Sequence, residues 1–564
     1  MLLLLGALST AGARQFAALP ARDADYVRDL PMWGAPPTDT YSGFLSADAV
    51  EPGTRLHYHF VACSNGADPS TTPVVLWMNG GPGSSSYLGL LQELGPLLIN
   101  ATGGLFENPY AWTTRAHLLV LESPAGVGYS YCAAQLKGMG CANSDKSTAR
   151  AARAAVLDFY TRLFPELRST DLFLTGESYA GVYVPTLARE LLEHAARVVP
   201  LAGLAVGDPC TDNECQAESM DMIWYSHKYG FLPRELFELL WHRCKLRMPS
   251  RRTAGRWLGA GRATTGDEHQ PMHQPSLRAT AAVDPSLAAE CRVASRTFLA
   301  ITSHGFSQEW PRAFLNDLTL FGPAATTSFD ALGSLDALTA AWMNRADVRR
   351  ALHVDTSPAK AWPGPEALWT YSSDYSACNA QASPGTPSMI EIYRDIAPKL
   401  KRTLVFNGDT DPCVSYEGTR EAIKRVGFAE LRGGGYRPWF FNASAASEAL
   451  IRAKPVLFGP SLALRDAGVQ FGGSVVEYEH GLAFATVHGS GHMVPQFRPR
   501  AALHMLTKLL ELEPLAPRLP ADSELATWAD DEFERAIDNW TDRARAPPYV
   551  GPGSAAAGSA VNKL

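Results

Sequence analysis

Short apolar runs alternate with helix-like segments over residues 55–207. Residues 56–61 alternate between apolar and polar side chains, which is typical of a strand with one face in the core. Further runs are almost wholly apolar, as in buried strands: residues 73–78, 118–121, 172–174 and 201–206. Residues 149–163 carry apolar side chains at helical spacing, and residues 186–196 form a second helix-compatible segment. This alternation predicts a mostly parallel central sheet with helices on both faces.

The strand pattern fades at Asp208 and returns near residue 384, with strands predicted at 403–406 and 483–487. We interpret the helix-like middle part as a cap inserted between two halves of the sheet. The charged and aromatic residues 522–545 are a helix candidate, and the glycine-, alanine- and serine-rich residues 551–560 are expected to be disordered. The predicted organisation is a signal-like segment (1–20), the first half of the core (21–207), the cap (208–383), the second half of the core (384–512) and a C-terminal extension (513–564).

The loops that follow the predicted strands carry the candidate chemistry. Residues 176–181, Gly-Glu-Ser-Tyr-Ala-Gly, resemble a nucleophile elbow, in which a tight turn holds a serine clear of the sheet with the positive end of a helix behind it. The loops after the last two strands contain two aspartates and two histidines: Asp409, Asp411, His488 and His492. A plain turn explains any one of these loops alone. Serine, acid and histidine in this order, each at a strand exit, indicate an α/β-hydrolase triad.

Composition and charge indicate a peptide or small-molecule substrate. The 564-residue chain has a formal net charge of -7, which gives no reason to expect a nucleic acid or an anionic membrane as partner. Residues 243–262 are basic and contain no acidic residue, but they offer only Trp257 for base stacking. We interpret them as a solvated, protease-sensitive loop. No run of 18 uninterrupted apolar residues is present, so no membrane span is predicted.

The N-terminus and three sequons fit the secretory pathway. Residues 1–13 form an apolar run with a small-residue Ala-x-Ala end, as in a secretory signal, although a basic n-region is missing and a frayed apolar terminus is the alternative. Candidate glycosylation sites are Asn100, Asn442 and Asn539.

The nine cysteines should mostly pair in a secreted protein. The close neighbours Cys132/Cys141 and Cys210/Cys215 are plausible local pairs, but the connectivity cannot be deduced from spacing. An odd total leaves at least one thiol free or paired between chains.

Four motifs together resemble those of the serine carboxypeptidases, the family of carboxypeptidase Y and cathepsin A. They are Trp-Met-Asn-Gly-Gly-Pro-Gly (77–83), Leu-Glu-Ser-Pro-Ala-Gly-Val-Gly (121–128), Gly-Glu-Ser-Tyr-Ala-Gly (176–181) and Gly-His-Met-Val-Pro (491–495). The resemblance covers about residues 26–512. It implies an α/β-hydrolase fold with a helical cap, a lysosomal, vacuolar or secreted setting, and release of C-terminal residues from peptides at acidic pH. It implies no metal or organic cofactor.

The resemblance also implies a role for each matched residue. Ser178 is the nucleophile, His492 the general base, and Asp411 the acid that orients His492. Asp409 would brace its turn, and His488 would be a loop residue. The amides of Gly81 and Tyr179 would form the oxyanion hole.

Recognition of the substrate's terminal carboxylate is implied for Asn79, the Gly80 amide, Glu93 and Glu177. Two acids bind a carboxylate only if a proton is shared, because like charges in a dry pocket raise each other's pKa. We therefore expect peptide binding to weaken as the pH rises towards neutrality.

The chain departs from the family at Ser84, where many members have a cysteine, so the disulfide usual there cannot form. Cys378 is then expected to be free or paired elsewhere, for example with Cys63. Cys413 is the first candidate for a thiol near the site.

Two alternative functions stay open. An acyltransferase could use the same scaffold, but the plant relatives of that kind commonly carry aspartate before the serine, so Glu177 favours peptide hydrolysis. A catalytically silent binding or stabilising partner is the other alternative, and the complete set of Ser178, Asp411 and His492 counts against it.

Overall fold

The computed structural model describes residues 14–100, 102–247, 278–279, 284–302, 331–378, 385–443 and 468–545. Residues 1–13 of the signal-like segment 1–20, most of the basic segment 243–262 and the glycine-rich residues 551–560 lie outside the described residues. In the part of the chain that is described, every helix is too short or too polar to cross a bilayer.

Ten of the described strands form one mostly parallel sheet, and the others pair as three short ribbons. In chain order the strands are β1 Thr40–Ser46, β2 Arg55–Val61, β3 Val74–Met78, β4 Leu97–Ile99, β5 Leu105–Glu107, β6 His117–Leu121, β7 Ala142–Ser144, β8 Leu172–Glu177, β9 Leu201–Gly207, β10 Leu246–Arg247, β11 Arg278–Ala279, β12 Thr370–Ser372, β13 Arg402–Gly408, β14 Arg437–Ala443, β15 Gly468–Glu477 and β16 Leu482–Val487. The order across the large sheet is β1-β2-β6-β3-β8-β9-β13-β16-β15-β14.

The centre of this sheet is parallel and its two ends are antiparallel. Strands β6, β3, β8, β9, β13 and β16 pair in parallel, whereas β1 and β2 at one end and β14 and β15 at the other pair in antiparallel fashion. Every residue of β3 is buried, as expected where helices cover both faces of a parallel sheet. The predicted sheet is confirmed, and its parallel strands bring the loops after β3, β8, β9, β13 and β16 to one edge.

The helices surround this sheet. They are α1 Pro20–Asp23, α2 Tyr87–Gly89, α3 Asp145–Asp158, α4 Ala180–His194, α5 Asn213–Gln216, α6 Met222–Lys228, α7 Arg234–Glu238, α8 Ala288–Thr302, α9 Ala331–Met343, α10 Ala346–Ala351, α11 Met389–Ile396, α12 Tyr416–Arg425, α13 Val494–Phe497, α14 Pro499–Leu510, α15 Asp522–Leu525 and α16 Asp530–Arg545. Single π-helical turns follow α2, α3 and α7, at Leu90–Leu94, Phe159–Leu163 and Leu239–Arg243. Short 3₁₀ turns lie at Trp112–Thr114, Gln135–Lys137, Pro165–Ser169, Pro285–Leu287, Ala397–Lys399 and Glu479–Gly481.

Helix α4 begins earlier than the sequence pattern predicts. The predicted segment starts at Thr186, but the helix starts at Ala180 and contains Pro185. Proline removes one intrahelical hydrogen bond. The helix tolerates this loss because all of residues 180–188 are buried, and packing of such a face contributes more to helix stability than local propensity does.

The middle of the chain adds no strand to the ten-stranded sheet within its described residues. Helices α6, α7 and α8, with the π-helical turn after α7, bury an apolar cluster of their own, which includes Ile223, Leu240 and Phe298. Helices α9 and α10 instead pack against the sheet, where Trp342 and Val348 join its apolar core. The cap boundaries at 208 and 383 stay a prediction.

Three disulfides connect six of the nine cysteines: Cys132–Cys141, Cys210–Cys378 and Cys244–Cys291. The Cys132/Cys141 prediction is confirmed. The Cys210/Cys215 prediction is wrong. Cys378 is paired elsewhere, which is one of the two expected outcomes, but its partner is Cys210 and not Cys63. The amide of Cys215 donates to the Asp212 cap of its own short helix at 2.8 Å, while the segment around Ser376 meets Asn213 and brings Cys378 to Cys210. Cys63, Cys215 and Cys413 are outside these disulfides.

The C-terminal extension packs on the end of the sheet. Of the predicted helical stretch 522–545, residues Asp522–Leu525 and Asp530–Arg545 are helical. Trp540 is buried, and its Nε1–H donates to the Pro517 carbonyl at 3.1 Å. The same carbonyl accepts a hydrogen bond from Arg437 of the edge strand β14 at 2.8 Å. The extension therefore covers part of an edge that would otherwise expose unpaired backbone groups.

Candidate active site

Ser178 lies in the tight turn between β8 and α4. Its φ of +71° is in the left-handed region, which a residue other than glycine occupies only when the surrounding structure enforces it. The Ser178 N–H donates to the Gly207 carbonyl at 2.9 Å, and the Ser178 carbonyl accepts from the amides of Gly181 and Cys210 at 2.9 and 3.0 Å. These bonds fix the strained turn from both sides, with the N-terminus of α4 directly behind it.

Small residues let the backbones approach closely around this turn. The elbow pattern Gly-x-Ser-x-Gly is met with Ala180 in place of the second glycine. A Cβ on Gly176 would lie 2.7 Å from the Ala180 Cβ, so glycine is needed at that position. A Cβ on Gly80 would lie 2.2 Å from the Tyr179 nitrogen. The glycine-rich loop after β3 and the elbow therefore pack backbone against backbone, which brings the segment of Gly81 next to Tyr179.

His492 and Asp411 form a hydrogen-bonded pair at the exits of the adjacent parallel strands β16 and β13. His492 Nδ1 lies 2.7 Å from Asp411 Oδ2. The buried Asp411 carboxylate also accepts the amides of Cys413 and Val414 at 2.8 and 3.1 Å. Burial by itself would raise the pKa of Asp411, but His492 and these donors hold the pKa of this carboxyl below its usual value. Asp411 is therefore a buried carboxylate that remains charged.

A second aspartate–histidine pair lies beside the first. Asp409 Oδ2 is 2.9 Å from Nδ1 of His488, whose side chain is about half exposed, and Asp409 Oδ1 accepts the Gly489 amide at 2.7 Å. These contacts tie the two loops together. The structure thus places Asp409 and His488 with each other and leaves Asp411 with His492.

Asn79, Glu93 and Glu177 meet in a buried cluster next to the elbow. Asn79 Nδ2 donates to Glu177 Oε1 at 2.8 Å and lies 3.4 Å from Glu93 Oε1. The side-chain oxygen of Asn79, Oδ1, accepts hydrogen bonds from Trp77 Nε1 at 2.8 Å and from the Gly89 amide at 3.0 Å. These two bonds fix the orientation of the side-chain amide. Its donor end therefore points at both carboxyl groups.

The two glutamates hold a proton more tightly than ordinary carboxyls. Burial raises the pKa of Glu93 to about 8. Burial and then the charge of Glu93 raise the pKa of Glu177 well above its usual value. The Oε2 atoms of both residues are buried and accept no N–H or hydroxyl hydrogen bond from the residues that the structure describes, yet the two carboxyl groups are in hydrogen-bonding contact with each other. A shared proton satisfies this geometry, and the pair can then donate to an incoming carboxylate.

Two further buried aspartates, Asp145 and Asp208, lie at the site, and neither belongs to a motif named above. Asp145 accepts hydrogen bonds from the hydroxyl groups of Tyr179 and Tyr371 at 2.9 and 2.6 Å, and the first of these bonds holds the Tyr179 side chain, next in sequence to Ser178. Asp208 ends β9, which lies between β8 and β13 in the sheet and so between Ser178 and Asp411. Its position at a strand exit is the sequence signal that could have found it.

Among the described residues, one cluster brings three metal-ligand types together: ligand atoms of Asp411, Cys413 and His492 lie within 4.8 Å of one another. The Asp411 carboxylate is already shared between His492 and two backbone amides. These contacts fit a hydrogen-bonded acid and base, and we assign no metal to them.

Comparison with known proteins connects this geometry to a family. The sequence model of the serine carboxypeptidases matches residues 31–511. The lysosomal protective protein of Mus musculus is 31% identical over 538 residues, covering 91% of this chain and 98% of that protein. Serine carboxypeptidase 24 of Arabidopsis thaliana is 28% identical, covering 90% and 96%. A prohormone-processing carboxypeptidase from Saccharomyces cerevisiae superposes with a TM-score of 0.59 at 18% identity, covering 87% and 96%, and this match shows the shared α/β-hydrolase fold.

Proposed function

The chain belongs to the serine carboxypeptidase family and is a serine-type carboxypeptidase, and we propose that it cleaves the C-terminal peptide bond of peptides or proteins at acidic pH through an acyl-enzyme intermediate. The observation that supports cleavage at the C-terminal bond is the buried pair of Glu93 and Glu177 beside Ser178. An endopeptidase or esterase needs no proton-sharing carboxyl pair at this place. A site that binds a terminal carboxylate through acidic side chains does, because only a protonated carboxyl group can donate a hydrogen bond to it.

In the first half of the proposed reaction, Ser178 Oγ attacks the carbonyl carbon of the last peptide bond. His492 takes the hydroxyl proton, and Asp411 holds the imidazole in the required tautomer and stabilises the imidazolium. The negative charge that develops on the carbonyl oxygen is met by the amides of Gly81 and Tyr179. Each such donor contributes about 2.7–4 kcal/mol to lowering the barrier.

The tetrahedral intermediate then collapses to the acyl-enzyme. His492 returns the proton to the departing nitrogen, and the C-terminal residue leaves with a free amino group. In the second half, a water molecule takes the place of that amine, His492 accepts its proton, and attack on the acyl carbon releases the shortened peptide and restores Ser178.

The carboxylate of the departing residue is proposed to bind Asn79, the Gly80 amide and the protonated glutamate pair. A protonated carboxyl group can donate a hydrogen bond to a carboxylate, whereas an ionised one repels it. The close packing of Gly80 against Tyr179 places this recognition site beside the proposed oxyanion hole. Only a residue with a free carboxylate at this distance would then present its amide bond to Ser178.

The glutamate pair makes a specific pH prediction. Because the pKa of Glu93 is raised to about 8 and that of Glu177 is also raised, the pair keeps its protons at acidic and neutral pH and loses the first of them as the pH rises through about 8. We expect KM for peptides to increase by about tenfold or more over that rise, since a hydrogen bond to a charged group contributes about 1.5–3 kcal/mol. In the Glu177→Gln variant, the amide donates at every pH, so KM should depend less on pH.

Steady-state kinetics from acidic pH to about one unit above the pKa of Glu93, where most of that carboxyl is ionised, check this prediction. Glu193→Gln, at a half-exposed glutamate near the end of α4, is the matched control and should follow the wild type. A wild-type KM that stays flat over the whole range would contradict the proposed role of the pair.

The reaction itself is tested with a peptide library at acidic pH and mass spectrometry of the products. The expected result is stepwise release of single residues from the C-terminus and labelling of Ser178 by a fluorophosphonate probe. Internal cleavage would contradict the exopeptidase proposal. Absence of labelling would favour a silent binding partner.

We also propose passage through the secretory pathway. The three disulfides of the structure require an oxidising compartment, and a similar protein bears the name lysosomal protective protein. The candidate signal at residues 1–13 and the sequons at Asn100, Asn442 and Asn539 support the same route.

A further inference from the structure

A buried aspartate lies against the acid of the proposed triad. Asp208 follows Gly207 at the end of β9 and is fully buried. Its φ of +45° places it in the left-handed region, where residues other than glycine are held by their surroundings. Strand β9 pairs with β8 on one side and β13 on the other, so Asp208 lies between the exits that carry Ser178 and Asp411.

One carboxylate oxygen of Asp208 accepts hydrogen bonds from the end of β13, shortly before Asp411. Oδ1 accepts the Gly408 amide at 2.9 Å and Nδ2 of Asn407 at 3.3 Å. Asn407 Nδ2 also donates to the Val414 carbonyl at 2.7 Å, and the Asp208 amide donates to the Phe406 carbonyl at 2.7 Å. These contacts leave the carboxyl group of Asp208 little freedom to turn.

The other oxygen, Oδ2, is buried and accepts no N–H or hydroxyl hydrogen bond from the described residues. The carboxyl group of Asp208 is in hydrogen-bonding contact with that of Asp411, and the ionisable groups that face it are Asp411 and Glu177. All of them are carboxyls. Two buried carboxyls in contact cannot both be ionised at low cost, so the pair holds one proton.

The position of this proton follows from the surroundings of each carboxyl. Burial and then the charge of Asp411 raise the pKa of Asp208 well above its usual value. Asp411 instead faces His492 and two backbone amides, and the hydrogen bond from Asp208 contributes to holding the pKa of Asp411 below its usual value. Asp208 is therefore the protonated partner and Asp411 the ionised one.

We propose that Asp208 is a positioning residue for the hydrolysis described above, and that its Oδ2–H donates a hydrogen bond to the Asp411 carboxylate, keeping that carboxylate charged and aligned with His492 at acidic pH. The inference rests on the proposed function. No proton is transferred to Asp411 in the reaction. The donor makes the Asp411 carboxylate less basic, which extends the active range of the triad towards lower pH.

Two substitutions separate this role from simple packing. Asp208→Asn keeps the shape and supplies an N–H donor that cannot ionise, whereas Asp208→Ala removes the donor. We expect Asp208→Asn to retain kcat within about threefold and Asp208→Ala to lose about 10- to 100-fold, the usual effect of losing a hydrogen bond to a charged group. The acid limb of the kcat–pH profile should move to higher pH in Asp208→Ala alone.

KM for peptides should stay unchanged in both variants, because the Glu93–Glu177 pair is intact. Asp171→Ala, which removes an exposed ion pair with Lys401, serves as the control and should leave the profile in place. A role in packing alone would lower kcat equally at every pH and leave the acid limb where it is in the wild type.

The outcomes are distinct. The inference is overturned if Asp208→Ala keeps the wild-type kcat and acid limb, or if Asp208→Asn loses as much activity as Asp208→Ala. If Asp208→Ala does not fold, Asp208→Asn alone tests the inference. An ionised Asp208 in the wild type would make the kcat–pH profile of the wild type differ strongly from that of Asp208→Asn, and this result would overturn the inference. A wild type that releases no terminal residue contradicts the proposed function itself, and this inference with it.

Discussion

Replacing Ser178 with alanine will reduce kcat for release of C-terminal residues by about a millionfold. Loss of the serine of a hydrolase triad costs about as much as loss of the whole triad, because the three groups act as one unit. The remaining rate, about 10³–10⁴ above that of the reaction in water, comes from the oxyanion hole and substrate binding, which the substitution leaves in place. KM should therefore change little.

Because the three groups act as one unit, the measurement compares single variants with a double variant. Ser178→Ala, His492→Ala and the double variant are compared with the wild type in the peptide-release assay, and we expect the double variant to be no slower than either single variant. Ser169→Ala, at an exposed serine before β8, is the control and should match the wild type. Ser178→Ala retaining more than about a hundredth of wild-type activity would place the nucleophile elsewhere.

The sequence pattern predicted the elements that carry the proposed triad because these elements are locally determined. Buried parallel strands are continuous apolar runs, and each predicted strand ends in a loop whose composition differs sharply from the run before it. The parallel arrangement then brings Ser178, Asp411 and His492 to one edge without any further information. Chain order and strand exits therefore predicted that a serine, an acid and a histidine meet at this edge, but not which of the two aspartates and two histidines they are.

The parts that the sequence did not reveal depend on contacts between distant segments. Cys210 pairs with Cys378, which is 168 residues away, and spacing favours the nearer Cys215. Glu93 was assigned to the site through the family resemblance alone, because it lies in the π-helical turn Leu90–Leu94 and hydrophobic periodicity carries no signal for such a turn. The proposed protonation of Asp208 rests on its contact with Asp411, and no motif encodes that contact.

Contacts in the fold also distinguish the two neighbouring aspartates, Asp409 and Asp411, of the loop after β13. Gly-Asp-x-Asp offers Asp409 and Asp411 as equivalent carboxyls on the sequence, and the family resemblance was needed to choose between them. In the fold they differ in burial and in partner. Asp411 is buried and bonded to His492, whereas Asp409 is bonded to the exposed His488.

Asp411→Asn will lower kcat by about 10⁴-fold, the second-largest effect expected in this site. Both carboxylate oxygens accept backbone amides, and Oδ2 also accepts from His492 Nδ1. An asparagine must turn its NH₂ group towards one of these donors, so it either loses an amide contact or favours the wrong imidazole tautomer. The imidazolium that forms during attack would also lose its counter-charge.

Asp409→Asn is the matched control for this prediction, because it makes the same chemical change two residues earlier in the same loop. Asp409 pairs with His488, whose side chain is about half exposed, so its loss should change kcat by no more than a few-fold. The two variants are compared in the peptide-release assay together with fluorophosphonate labelling rates, which report on activation of Ser178 without peptide binding. If Asp409→Asn slowed both reactions more than Asp411→Asn, the acid of the triad would be Asp409, and the buried Asp208–Asp411 pair would lose its connection to catalysis.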